Sequence, residues 1–153
     1  MTEINLRAAT QHDDELILEL LKDMHREAGM GTINLDKVVN VIRHCREMGC
    51  IIIAEVQGIP RAIMGIRADK FWWSDDFAIF DQFTYVAPEA RKTRAIFKMV
   101  AHARDVAVQA GIPLVIGNLG PVDTEVKSRL FKMFGKQLGI TVITGETRNF
   151  LWR

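Results

Sequence analysis

Two spacings of apolar residues divide this chain. Ile4 to Ala8 alternates as a short strand does. Thr10 followed three places later by Asp13 resembles a capping box. From there Ile17, Leu20, Leu21, Met24 and Ala28 recur at helical intervals, with Gly29 as the stop. Asn34 can cap a second helix whose inner stripe is Leu35, Val38, Val39, Ile42 and Cys45, ended by Gly49. The stretch CIIIAEVQGIPRAIMGIRA predicts two strands around a turn at Gln57-Gly58. Pro60 then falls at a strand start, where a missing N–H does least harm.

After a loop or strand end FWWSDD, Ala78 to Val86 forms another strand. Its adjacent Trp72 and Trp73 would point to opposite sides if extended, one packing and one lining a pocket or dimer surface. The next helix has the cleanest stripe: Ile96, Met99, Val100, Ala103, Ala107 and Ala110, ended by Gly111. Pro113 to Asn118 is a short strand with the pattern of full burial. Asp123 or Thr124 caps a last helix to about Phe134, and strands near Thr141 to Thr144 and Phe150 to Trp152 follow. The order is β-α-α-β-β-β-α-β-α-β-β. Three consecutive strands imply antiparallel pairing, and strand-helix-strand from Ala78 to Asn118 implies a parallel, right-handed unit. The expected fold is α/β (α+β): a mixed, mostly antiparallel sheet with a central parallel pair and helices on both faces.

Composition changes this picture little. The 153 residues, 48% hydrophobic and 25% charged, fit a single domain spanning 1–153. Lys+Arg 20 against Asp+Glu 19 leaves +1, so no global charge draws the chain to nucleic acid or an anionic membrane. The start has no signal-peptide pattern, and no apolar run is long enough for a membrane span. Two cysteines, Cys45 and Cys50, are too few for a disulfide scaffold, so a reducing, cytoplasmic setting is expected. Their spacing straddles a helix end and a strand start, and with no second pair a zinc site is not expected.

Chemistry concentrates in TYVAPEARKTRAIF, where a strand ends at Val86 and a helix begins around Lys92 to Ala95. Arg91, Lys92 and Arg94 sit between them, with no glycine. A helix N-terminus offers unpaired N–H groups and a positive dipole end to an anion. The other readings are a solvated basic turn or a nucleic-acid patch. Three basic residues without an extended stripe argue against the second.

The element order, with three stretches on it, resembles the GNAT family of acetyl-CoA-dependent N-acyltransferases. IIIAEVQGIPRAIMG is similar to that family's hairpin, YVAPEAR to the end of its central strand and the turn into the CoA-binding helix, and SRLFKMFGK to its xxLYEKLGF helix end. The first-helix ending and the tryptophan-rich loop are most similar to a branch of small GNATs often found in bacteriophage genomes. The resemblance implies that acetyl-CoA is the acyl donor. Its pyrophosphate would lie on the turn, its arm between splayed strands bearing Val86 and Asn118. The implied cofactor-binding residues are Tyr85, Val86, Arg91, Lys92, Thr93, Arg94, Ala95, Ile96, Asn118 and Phe131. Two departures stand out. The glycine-type positions of the family's anion loop are all replaced, and the tyrosine that often protonates the departing thiolate falls on Phe131.

Acyl transfer needs a neutral amine. A lysine-like amine with pKa ~10.4 is only about one part in 2,500 neutral at pH 7, a deficit of roughly 4.6 kcal/mol. A base or desolvation must offset it. His25 and Glu27, which the branch places by the acceptor pocket, are first candidates, and Asp81 on the central strand is either paired in the sheet or functional. A strand N–H near Tyr85 or Val86 would hold the oxyanion. Water or Tyr85 would protonate the thiolate. The acceptor would be a small-molecule or peptide amine, and a homodimer through terminal strands is common in folds of this kind. The alternative is a GNAT-fold protein without catalysis, binding CoA or another protein.

Overall fold

The computed structural model of the protein describes residues 2–29, 31–117, 129–130 and 132–133. Eight elements build it: β1 (Ile4–Ala8), α1 (Asp14–Ala28), α2 (Leu35–Met48), β2 (Gly49–Val56), β3 (Ile59–Lys70), β4 (Phe77–Val86), α3 (Ala95–Ala110) and β5 (Leu114–Val115). The strands lie in chain order in one sheet, β1-β2-β3-β4-β5. The first three pairings are antiparallel and β4–β5 is parallel. The parallel pair, expected at the centre, closes one edge of the described sheet. The strands expected near 141–144 and 150–152 lie outside the described residues. So does most of the helix expected from 123 or 124 to about 134, although Arg129, Leu130, Lys132 and Met133 are helical.

Both faces of the sheet are covered, which explains the near-continuous apolar runs in β2 and β3. On one face α3 lays Ala95, Met99, Val100, Ala103 and Ala107 against Ile52, Ala54, Ala62, Met64 and Ile66. On the other, α1 and α2 bring Ile17, Leu20, Leu21, Ile42 and Cys45 against Ile51, Ile53, Ile63, Phe83 and Tyr85. Neighbouring residues of β2 alternate between the two cores, as a pleated strand requires.

The β2–β3 reversal is a two-residue turn with Gln57 at φ 53° and Gly58 at φ 76°. Positive φ at both central residues is what the twist of a tight hairpin demands. Near the start of α1, the Asp13 carboxylate accepts the Thr10 N–H at 2.8 Å and both ends of the Arg7 guanidinium at 2.8 and 2.9 Å. The guanidinium and these donors hold that carboxyl well below the usual carboxylate range.

Two expectations are corrected. Of the strand expected from Pro113 to Asn118, only Leu114–Val115 is extended in the sheet among the described residues, and Asn118 lies outside them. The Gly117 N–H turns aside to the Asp81 side chain at 2.8 Å, taking it out of the ladder. Trp72 and Trp73 do not straddle a strand. Both sit in the loop between β3 and β4, 91% and 65% exposed, with Trp73 stacked on Phe71 at 4.9 Å between centroids. Neither is core. No helix among the described residues is long and apolar enough to cross a membrane.

Candidate functional site

β4 changes character along its length. Ile79 and Phe80 pair with Leu114 and Val115 of β5. Beyond them, from Asp81 to Val86, the described partner of β4 is β3 alone. The divergence coincides with an irregularity in the β3 pairing. Gly65 faces Phe83 and Ile66 faces Asp81, so Gln82 is an extra residue. Such a bulge bends its strand and increases its twist. The Phe83 ring lies over Gly65, where a Cβ would come within 2.5 Å of it, so only glycine fits beneath the ring.

The open edge has a defined polarity. Ala87 N–H donates to Arg61 O at 2.8 Å, and Tyr85 stands opposite Ile63. In an antiparallel ladder, residues alternate between bonding the partner and pointing away from it. Tyr85 therefore turns its backbone groups to β3, while Val86 turns its N–H and C=O to the open side. Of the two residues expected to hold an oxyanion, Val86 has the outward N–H.

From Val86 the chain runs through a 3-10 turn, Pro88–Ala90, into α3. Four N–H groups from Ala90 onward are engaged: Ala90 by Ala87 O at 2.9 Å, Arg91 by Pro88 O at 3.3 Å, Thr93 by Ala90 O at 3.0 Å, and Ala95 by Thr93 Oγ1 at 3.2 Å. The Thr93 hydroxyl also donates to Ala90 O at 2.6 Å, so this side chain clasps the turn from within. No hydrogen bond among the described residues engages the N–H groups of Lys92, Arg94 or Ile96. No residue from Arg91 to Ile96 has a positive φ. The absence of glycine is thereby explained: this turn enters its helix entirely through conformations open to any L-residue.

The basic side chains divide into two groups. Lys92 and Arg94 are exposed, with the Arg94 guanidinium over the Phe97 ring at 4.7 Å. Arg91 turns inward. Its Nε donates to Val86 O at 3.1 Å, and its terminal nitrogen pairs with Glu27 Oε2. The other Glu27 oxygen accepts the Tyr85 O–H at 2.6 Å. Burial first, then the Glu27 carboxylate, push the Tyr85 phenol well above the ordinary tyrosine value. The phenol is thus a standing donor to Glu27.

The structure separates His25 from Glu27. Two places apart on a helix, they lie on different faces. Glu27 reaches β4 while His25 Nε2 lies 3.0 Å from Gly31 O. A carbonyl can only accept, so that nitrogen carries a proton, and in the neutral ring Nδ1 would hold the lone pair. Asp81 stands where β4 and β5 part, bonded to Gly117. Asn118 and Phe131 lie outside the described residues. Burial pushes the Cys45 thiol up to about 11 and raises Cys50 too, which leaves neither reactive. Among the described residues no three His, Cys, Asp or Glu side chains converge as metal ligands.

The Glu27–Arg91 pair has no sequence signature, because its members are 64 positions apart. The bulge at Gln82 has none either. The Arg94–Phe97 stack could have been found, since residues three apart on a helix face one another.

No family model and no curated protein matches the chain. Its architecture, however, matches solved acetyltransferases. A predicted acetyltransferase from Clostridium acetobutylicum, solved with acetyl-CoA, aligns over 92% of this chain and 96% of its own, with TM-score 0.69 and 17% identity. A ribosomal-protein-alanine N-acetyltransferase from Brucella melitensis aligns over 91% and 95%, with TM-score 0.70 and 12% identity. An aminoglycoside acetyltransferase from an uncultured soil metagenomic sample, in complex with sisomicin, aligns over 91% and 93%, with TM-score 0.65 and 8% identity. The chain has the GNAT acetyltransferase fold. At identities this low the likeness carries the architecture and no residue roles. Within the GNAT fold, the open β4 edge and the helix entrance beside it form the candidate site.

Proposed function

We propose that this chain is an acetyl-CoA-dependent N-acyltransferase, acting in the cytoplasm on a small-molecule primary amine. One observation carries the reading. Among the described residues, an outward N–H at Val86 lies on an unpaired strand edge, shortly before a turn that leaves N–H groups at Lys92, Arg94 and Ile96 unengaged. A thioester arm needs the first feature and a pyrophosphate needs the second. The tryptophan-bearing loop and the end of α1 support placement in the small branch named above.

In this reading the neutral amine attacks the thioester carbonyl directly. The carbonyl oxygen gains negative charge and receives the Val86 N–H. Collapse re-forms the carbonyl, breaks the C–S bond and releases the thiolate, which takes a proton from water. His25 Nδ1 receives the amine proton through water. Glu27 holds position, since both its oxygens already accept hydrogen bonds. A thiol pKa of roughly 8.5, by analogy with cysteine, makes a dedicated acid dispensable.

The second reading is a CoA-binding protein without catalysis. It is favoured by the Tyr85 hydroxyl being directed to Glu27, and by the phenylalanine at 131. Thermal shift with acetyl-CoA, followed by thiol release on a panel of amines, separates the two. Stabilisation with turnover is expected. Stabilisation without turnover establishes the second reading, and no stabilisation at millimolar acetyl-CoA overturns both. His25→Gln is expected to lower kcat/KM about a hundredfold. Acetyl-CoA affinity should stay unchanged in the same titration.

A further inference from the structure

The cation nearest Val86 does not face outward. Arg91 is tied to three elements at once: to β4 through Val86 O, to α1 through Glu27, and through its own backbone to the turn leading into α3. Glu27 in turn holds the Tyr85 phenol, which is only 6% exposed and belongs to the core beneath α1. Both charged side chains of the pair retain 28% exposure, so the pair borders solvent without being fully open to it.

The direction of each bond gives the arrangement its meaning. Val86 O lies on the edge of β4 that β5 leaves unpaired, so no strand holds it there among the described residues. Arg91 Nε takes the place of a strand donor at that carbonyl and leaves the Val86 N–H untouched. A guanidinium suits this task, because its planar fork donates in two fixed directions while a lysine ammonium has no such fork. The end of α1, the last residue of β4 and the entrance to α3 are thereby linked through one side chain.

We propose that Arg91 is a positioning residue, not a phosphate ligand. Through Glu27 it couples the end of α1 to the cleft-facing edge of Val86, and the outward cations Lys92 and Arg94 are left to face an anion. The inference rests on the transferase reading above. It makes the acceptor-side helix and the donor-side strand edge energetically dependent, so a change at one is felt at the other.

The test uses acetyl-CoA binding isotherms at several salt concentrations for wild type, Arg91→Ala, Arg91→Lys, Glu27→Gln and the double variant Glu27→Gln/Arg91→Ala. Each single substitution is expected to raise Kd about threefold to tenfold, and the double variant no more than the worse single, because one linkage is lost only once. Arg91→Lys should behave like Arg91→Ala, and the dependence of Kd on salt should keep its wild-type slope. A phosphate ligand would behave otherwise: Arg91→Ala would flatten the salt slope, Arg91→Lys would restore it, and Glu27→Gln would bind as wild type. That result overturns the proposal while leaving the transferase reading intact. A wild-type protein that does not bind acetyl-CoA overturns the transferase reading, and the inference with it. Unfolding curves for the same variants confirm that each is folded when titrated.

Discussion

The two ends of β4 are built from similar residues and do opposite things. At Ile79 and Phe80 the strand is paired on both sides, and Asp81 extends that closure by taking the Gly117 N–H with its side chain. Five residues beyond Asp81, Val86 has β3 as its one strand partner among the described residues, and its outer carbonyl is held by an arginine. The closed end makes the fold and the open end makes the candidate site. A single extra residue, Gln82, separates them. In the transferase proposed here, reactivity would come from ladder bonds withheld over a short stretch, more than from any residue type.

This contrast can be broken from either side. The largest effect is expected at the open end. Val86→Pro removes an N–H that β3 does not use, so thiol release should fall about 10²- to 10³-fold. Thermal unfolding should change little, since proline is tolerated where the N–H leaves the ladder. A loss of fold would show that the amide is structural. Next, Lys92→Glu with Arg94→Glu should weaken acetyl-CoA binding about tenfold to a hundredfold, most strongly at low salt. Calorimetric titration at two ionic strengths reads this directly.

At the closed end, Asp81→Ala should cost about 0.5–1.5 kcal/mol of stability by removing the bond to the Gly117 N–H, which is exposed and can turn to water. Asp81→Asn, which keeps an accepting oxygen, should cost less and retain activity. An inactive but stable Asp81→Asn would make this carboxylate a participant in the reaction. The smallest effect is spectroscopic. Tyr85 is the one tyrosine in the chain, so absorbance near 295 nm reports its phenol alone. Burial and Glu27 raise that phenol, and no tyrosinate should form until well above pH ~10. The folded value lies above the unfolded one. Stability from this group is therefore fully present below pH ~10 and is lost as pH rises towards the folded value. Glu27→Gln should bring the titration down.

The scaffold was legible because its signals are local. Helical stripes with Asn34 as cap and Gly29 and Gly111 as stops, and the Gln57-Gly58 reversal, all emerge as read. The Asn34 side chain accepts the Lys37 N–H at 3.1 Å, as its position foretold. In the folded strand, alternation sets Ile51 and Ile53 against one core and Ile52 and Ala54 against the other, which the predicted strand left unassigned.

The site was legible only in outline. The turn from Arg91 to Ile96 could be located, but spacing alone could not show that Arg91 faces Glu27 while Lys92 and Arg94 face outward. Long-range pairing decides that, and it is written in no local pattern. Trp72 and Trp73 misled for a related reason. Their adjacency suggested opposite sides of an extended segment, yet the Phe71 N–H donates to Asp76 O at 3.2 Å and the segment between closes as a loop.

The glycine-free entrance to α3 has one more consequence. Glycines give an unfolded or unliganded segment many conformations, all of which must be surrendered when an anion arrives. Thr93 and its alanine and arginine neighbours restrict that freedom beforehand, and the Thr93 hydroxyl knots the loop to Ala90. Capture of a negatively charged group at this rim should therefore carry a smaller entropic penalty than at a glycine-rich one, with an enthalpy closer to that of a rigid receptor.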